Sequence, residues 1–380
     1  MSFLVSDCIS RNQQRSNTVG QRLADADFWL FLNDAIKYFY TNYKLPTAQR
    51  ETDLIAYPQV VEYPLPSDFI GLIEPKRPSG LHSPNFNHTT EREFAHWPYG
   101  RNTSIKFKGA SQVLILQETN GGVLGIDSCE DYTSWTVGGD ASGAFNDNQV
   151  YSAGAGSIAF SVTPTGSFTF SKTLDQALDI TDYKNKAKLF LDVYVPQTNT
   201  VALGTMTVRL GTDASNYWEM SATKPFNGQS HLGGFEKWGF DLQTATVVGS
   251  PSLTNVAYFY GSAVDTGMAA GVYRIDNIFI SQGTYYQLPY YSKYVVQDGL
   301  GVWKEKIEAN SDNVICPMDC DEAVEFKMLE EAAAVRMKDQ AQANYWSREL
   351  KPKEQYIKAK YPRMESRNTT SWYKPETRKR

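Results

Sequence analysis

The chain changes character twice along its 380 residues. Residues 1 to about 118, and those from about 286 onward, mix helical and strand-like patterns and are rich in aromatics. Between them, from Gly121-Gly122 to Ser281-Gln282-Gly283, the pattern is almost purely strand-like, with much Gly, Ser and Thr and little Lys or Arg. Two flanks that each lack a full set of core elements, wrapped around a self-contained β segment, have the form of a domain inserted into a host.

Charge follows the same division. The whole chain carries a formal net charge of −5, which excludes nucleic-acid binding by bulk electrostatics. Between residues 120 and 285 there are 15 acidic and 8 basic side chains, whereas Lys351 to Arg380 holds 10 basic and 3 acidic ones. An acidic middle and a basic tail point to two different environments or partners. No run approaches the ~18 apolar residues of a membrane span, and the opening Met1-Ser2-Phe3-Leu4-Val5-Ser6-Asp7 lacks the pattern of a secretory leader, so a soluble cytoplasmic product is expected.

In the first flank, Phe28, Leu32, Ala35 and Phe39 share one helical stripe, widened by Phe31 and Ile36, and predict a deeply packed helix from Asp27. Strands are expected at Gln59–Tyr63 and Phe69–Ile73, joined by Pro64-Leu65-Pro66-Ser67-Asp68, and at Ser104–Gly109 and Gln112–Gln117. Residues 75–103, with four prolines, read as a long loop. In the second flank, Asp319 and Glu322 fit a capping box for one long helix to about Leu350, with Val324, Met328, Ala332 and Val335 inward and Lys351-Pro352 as its end. The middle segment alternates through Ser167–Phe170, Lys188–Val195, Thr205–Leu210, Asn255–Tyr260 and Tyr273–Ile280, which predicts a two-sheet sandwich or jelly roll.

No catalytic constellation stands out, and no enzyme activity is expected. Gly138-Gly139-Asp140-Ala141-Ser142-Gly143 is not a nucleophile elbow, and Gly154-Ala155-Gly156-Ser157 is not a phosphate loop. His82, His88 and His96 lie beside Glu91 and Glu93 in the expected loop and read as solvated residues. Cys316 and Cys320 are too far apart in sequence, and too few, for a zinc knuckle. Two features invite binding instead. Tyr217 and Trp218 offer stacking surface for a glycan. Trp372, Tyr373, Lys374, Arg378, Lys379 and Arg380 combine aromatic anchors with positive charge on an arm expected to order itself on an acidic partner.

Two resemblances sharpen these expectations. Phe28-Trp29-Leu30-Phe31-Leu32-Asn33-Asp34-Ala35, Tyr63-Pro64-Leu65-Pro66-Ser67-Asp68-Phe69-Ile70, Tyr290-Tyr291 and Glu330-Glu331-Ala332-Ala333-Ala334 resemble, in that order, the head–tail adaptor family of tailed bacteriophages. The resemblance implies an α+β fold with a helical adaptor core and a virion protein of the head–tail junction, made in the bacterial cytoplasm. It also implies a closed ring of about twelve subunits docked on a portal protein through the basic tail, and joined to a tail or neck protein. Viral DNA would pass through its channel without sequence-specific contact. Ile126-Asp127-Ser128-Cys129-Glu130-Asp131-Tyr132-Thr133-Ser134-Trp135, Glu236-Lys237-Trp238-Gly239-Phe240-Asp241-Leu242 and Arg274-Ile275-Asp276-Asn277-Ile278 resemble jelly-roll carbohydrate-binding modules. That second resemblance implies a glycan partner and a structural calcium held by Glu130 and Asp276. Together they divide the chain into an adaptor core over 1–119, an inserted sandwich over 120–285, a closing helical part over 286–364 and a basic flexible tail over 365–380.

Overall fold

The structure is a computed structural model, and it describes residues 3–15, 24–72, 87–88, 104–108, 112–116, 122–163, 167–197, 203–230, 233–264, 270–361 and 363. The chain divides into two compact units. The first combines residues 1–52, 66–76 and 287–380; the second combines 53–65 and 77–286, so it takes in short stretches of the first flank as well as the strand-rich middle.

The second unit is a sandwich of two six-stranded antiparallel sheets. One, here the back sheet, runs Ala141–Asp147, Ser157–Val162, Gly271–Gln282, Ala187–Val195, Gly234–Asp241, with Val123–Asp127 also paired to Gly271–Gln282. The other, the front sheet, runs Thr246–Val248, Asn216–Ala222, Thr205–Asp213, Val256–Val264, Ser167–Leu178, Thr136–Gly139. Every strand expected in this segment is present, because period-two alternation sends one set of side chains inward. Phe168, Phe170, Met206, Val208, Leu210, Phe259, Leu189, Leu191, Val193, Trp238, Phe240, Tyr273, Ile275 and Ile278 fill the space between the sheets.

Aromatic rings join the sheets across this space. Phe160 of the back sheet lies 5.1 Å from Phe168, and Phe168 lies 5.2 Å from Tyr273. Trp135 packs at 6.0 Å on both Phe170 and Phe259. Phe170 has room because its cross-strand partner is Gly261, where an added Cβ would run into the ring. At one end of the core Lys172 donates to Asp127 at 2.7 Å, an ion pair linking the sheets, and Asp127 also accepts the Cys129 N–H at 2.7 Å. A third, small sheet in this unit pairs Gln112–Leu116 with Ser104–Lys108, in the hairpin the sequence pattern predicts, and with Glu62–Pro64 on its other side. The expected strand from Gln59 starts only at Glu62, because residues 57–60 form a turn. Asn87–His88 adds a parallel strand to it, within the segment expected to be loop. His82 and His96 lie outside the described residues.

In the first unit the four described α-helices are α1 (Val5–Arg15), α2 (Asp25–Asn42), α3 (Asp321–Glu331) and α4 (Gln340–Lys360). The expected α2 stripe is buried: Phe28, Phe31, Leu32, Ala35, Ile36 and Phe39 all enter the core with Val324, Met328, Leu329, Trp346 and Leu350. A short sheet of Phe3–Leu4, Asn313–Val314, Val296–Gln297 and Trp303–Lys304 closes one side of it.

The expected long helix is two helices. Residues Ala332–Arg336 widen into a π turn after α3, and Lys338 takes a left-handed backbone (φ 51°), which no helix can continue through. Asp339 then caps α4 by accepting the Gln342 N–H. Because of the π turn, Val335 points outward and is 67% exposed, whereas Val324, Met328 and Ala332 are buried as expected. Pro352 sits inside α4 rather than ending it; the face bearing Trp346, Leu350 and Ile357 holds the helix through the lost hydrogen bond. No capping box forms either: Asp319 instead receives Lys360 and the Tyr361 hydroxyl.

Substituting Gly261→Ala should destabilise the sandwich by about 1–3 kcal/mol through overpacking against Phe170. Denaturant unfolding checks this, and the penalty should shrink when Phe170→Leu is made in the same chain.

Candidate functional site

Alternation decides what the outer face of the front sheet can present. Along Thr205–Asp213 the inward residues are Met206, Val208 and Leu210, so Thr207 and Arg209 face out. The neighbouring Asn216–Ala222 turns Trp218 and Met220 inward and Tyr217, Glu219 and Ser221 outward. On the other side, Val256–Val264 places Phe259 inward and leaves Tyr258, Tyr260 and Ser262 half-buried on the outer face.

Register brings these residues together. Arg209 is opposite Glu219 on one neighbour and Tyr260 on the other. One row along, Gly211 is opposite Tyr217 on one side and Tyr258 on the other, and an added Cβ would run into Tyr217 and the Asn216 carbonyl, so only glycine fits there. The Arg209 guanidinium lies 4.7 Å from the Tyr217 ring centre and 4.9 Å from that of Tyr260. Its Nε donates to Glu219 at 2.8 Å. The next row is a carpet of hydroxyls, with Thr207 opposite Ser221 and Ser262, and Ser262 opposite Thr169.

Electrostatics keep this patch balanced. Partial burial alone would lower the Arg209 pKa, but the hydrogen bond to Glu219 and the neighbouring tyrosines raise it above the ordinary value, so the guanidinium is a permanent cation. Burial raises the Tyr258 pKa further above its ordinary value, so its phenol stays neutral. Arg209 and Glu219 offset one another's charge. The patch therefore combines three aromatic faces, a held guanidinium and hydroxyl groups without net charge. Such a surface suits a flat neutral polyol better than an ion.

The expected pair Tyr217 and Trp218 is only half realised. Tyr217 is on the outer face, but Trp218 is 4% exposed and packs inside the sandwich. Adjacent residues of one strand point to opposite faces, so the two rings cannot form one platform. Arg209, Glu219, Tyr258 and Tyr260 take its place; the sequence pattern gives their parity but not the register that gathers them. Trp135 and Trp238 are also core.

Glu130 and Asp276 serve one loop. Glu130 accepts the Ala155 N–H at 3.0 Å, and Asp276 accepts Ser152 N–H at 2.6 Å, Ser152 Oγ at 2.9 Å and Ala153 N–H at 3.0 Å. Both carboxylates thus brace residues 152–155 through N–H donors. Among the described residues no three His, Cys, Asp or Glu side chains converge as a metal cluster, so a calcium shell here would need carbonyl and water oxygens to complete it. The other oxygen of Asp276 is buried with no hydrogen-bond partner among the described residues, which marks the one point where an ion would find a spare ligand. The tail residues Trp372, Tyr373, Lys374, Arg378, Lys379 and Arg380 lie outside the described residues.

No family model and no curated protein matches the chain. Among solved structures, a family 11 carbohydrate-binding module from Clostridium thermocellum, in complex with a β-1,3-1,4-mixed-linked tetrasaccharide, is 13% identical, with 42% of this chain and 95% of that one covered and a TM-score of 0.29. A family 30 carbohydrate-binding module of a Clostridium thermocellum cellulosomal cellulase is 12% identical, with 42% and 97% covered and a TM-score of 0.33. An exo-β-agarase is 12% identical, with 49% of this chain and 29% of that one covered and a TM-score of 0.31.

Burial, followed in influence by the opposing N–H donors, holds the Asp276 pKa above the usual carboxylate value. A raised carboxyl pKa means that the folded state resists ionisation. The resulting stability is complete below the unfolded value of about 3.9 and is lost as pH rises through the folded value. Asp276→Asn should therefore raise the melting temperature at pH 7 and lose that advantage near pH 3.5. A wild-type protein that melts lower in chelator than in calcium, with Asp276→Asn abolishing the difference, would instead place a cation at this loop.

Proposed function

We propose that the protein binds a neutral glycan on the outer face of the front sheet, with Tyr217, Tyr258 and Tyr260 as the stacking surface. The observation that carries this reading is the guanidinium of Arg209, which lies over the rings of both Tyr217 and Tyr260 while its Nε is tied to Glu219. Pre-ordered rings and a pre-ordered donor need little ordering when a ligand arrives. Sugar C–H faces stack on tyrosine rings, and sugar hydroxyls meet Arg209, Glu219 and the Thr207–Ser221–Ser262 row. Charge compensation at Arg209 disfavours polyanionic chains.

The adaptor resemblance supports a second reading, a ring at a phage head–tail junction that carries this sandwich outward. Two of its motif residues, Asn33 and Asp68, are used inside the first unit. Asn33 accepts the Ile307 N–H at 2.7 Å and donates to the Ile307 carbonyl at 3.2 Å, while Asp68 receives the Tyr290 and Ser292 hydroxyls. These contacts explain the motifs as fold determinants and leave the glycan reading as the one supported by an exposed surface. Electron microscopy of particles containing the chain would decide for the ring if it appears on the head–tail axis, and against it otherwise.

Affinity electrophoresis of the full chain through mixed-linkage β-glucan, starch and a uronate polysaccharide tests the glycan reading. A neutral polysaccharide should retard the protein. Tyr217→Ala or Tyr260→Ala should each weaken binding about tenfold, the equivalent of ~1.4 kcal/mol. Arg209→Lys should also weaken it, since lysine keeps the charge but loses the planar stacked group. Retardation by the uronate alone, or by none, would remove the proposal.

A further inference from the structure

The back sheet has its own recess on its outer face, wholly within the sandwich unit. It is a cleft of about 730 Å³ lined by Gln59 and Glu62 on one wall, Phe226 and Asn227 on another, and Asp192, Phe235, Lys237, Asn277 and Ser152 across its floor. That volume falls within the roughly 300–1,000 Å³ of small-molecule sites.

The walls are built in advance of any ligand. Tyr57-Pro58-Gln59-Val60 is a tight turn, closed by Val60 N–H to the Tyr57 carbonyl at 3.0 Å, with Gln59 left-handed at φ 65°. The Tyr63 hydroxyl locks that turn from behind, accepting the Tyr57 N–H at 2.6 Å and lying 3.0 Å from the Val60 carbonyl. Tyr57 and Phe226 pack on Phe190 at 5.2 Å each, which fixes both walls to the sheet. On the floor, Asp192 is 4% exposed and gathers three donors: Lys237 at 2.8 Å, Ser152 Oγ at 2.8 Å and Asn277 at 3.3 Å. A buried carboxylate so used is a positioning group; it aims the lysine and the asparagine amide rather than binding ligand itself. Asn277 owes its orientation to a left-handed backbone (φ 49°) inside Gly271–Gln282. Phe235, held at 5.4 Å by Tyr194, supplies an apolar face beside these polar groups.

Lys237 and Asp192 neutralise one another, which removes the driving force for a phosphate or a carboxylate. What remains is an ammonium and an amide as donors, the Gln59 amide and the Glu62 carboxylate, which is held in place by the Asn227 amide at 2.8 Å, as acceptors, and one aromatic face. Alternating donors and acceptors beside a ring are complementary to a sugar, whose hydroxyls do both and whose C–H face is apolar. We propose that this cleft is a second carbohydrate site, taking a short neutral oligosaccharide, on the sheet opposite the tyrosine platform.

Saturation-transfer difference NMR on the full chain tests it, with cellotriose, laminaritriose, maltotriose and mannotriose as probes. In the Tyr217→Ala/Tyr260→Ala chain, which lacks the platform, at least one trisaccharide should still give a signal. Phe235→Ala should reduce that signal at least fivefold. Asn277→Gly, which keeps the left-handed backbone and removes the amide, should do the same in a chain whose circular dichroism is unchanged. No signal from any of the four in the platform-less chain overturns the proposal, as does a signal that both cleft variants leave intact. Retardation of Phe235→Ala by polysaccharide should persist, so failure here is separable from failure of the platform.

Discussion

Rings packed between the two six-stranded sheets decide which side of the strands that carry them is inside. Phe160, Phe168, Phe170, Phe259 and Tyr273 point inward from their strands, with Trp135 packed on Phe170 and Phe259, and a slip of one residue in any of those strands would turn a ring into water. The register they enforce is what sets Arg209 opposite both Glu219 and Tyr260. The outer surface is therefore a consequence of the inner packing. Gly261 contributes to the same constraint from the partner strand, by leaving the space that Phe170 fills.

Much of this was legible in the residues. Strand positions in the sandwich, the buried stripe of α2 and the hairpin of Ser104–Lys108 with Gln112–Leu116 all follow from local periodicity, which short-range sterics enforce. Alternation also contained the answer for Tyr217 and Trp218, since neighbours on a strand cannot share a face. What local pattern does not encode is pairing between strands distant in sequence. Arg209 and Tyr260 are 51 positions apart, and nothing near either residue announces the other. The break between α3 and α4 was hidden for a different reason. Ala332 to Ala334 has excellent helix propensity, and the interruption lies in the backbone of Lys338, a residue type that gives no sign of it.

The two outer faces of the sandwich are built by opposite means. The front sheet exposes rings on an open surface, where Arg209 is held by those rings and by Glu219. The back sheet is partly covered by the turn at residues 57–60, and its cation is held by a buried carboxylate at the bottom of a cleft. An open platform accepts the middle of a long chain, whereas a walled cleft suits a short piece or a chain end. Both depend on positions fixed before any ligand arrives, and this rigidity comes from the aromatic packing.

Hydrogen exchange of the full chain, with and without a saturating amount of the neutral polysaccharide that retards it, tests the central claim most directly. The account predicts new protection in Thr205–Asp213, Asn216–Ala222 and Val256–Val264, the three strands that carry Arg209, Tyr217, Glu219, Tyr258 and Tyr260. Protection confined to strands outside these three, or none under conditions where a polysaccharide retards the protein, would contradict it.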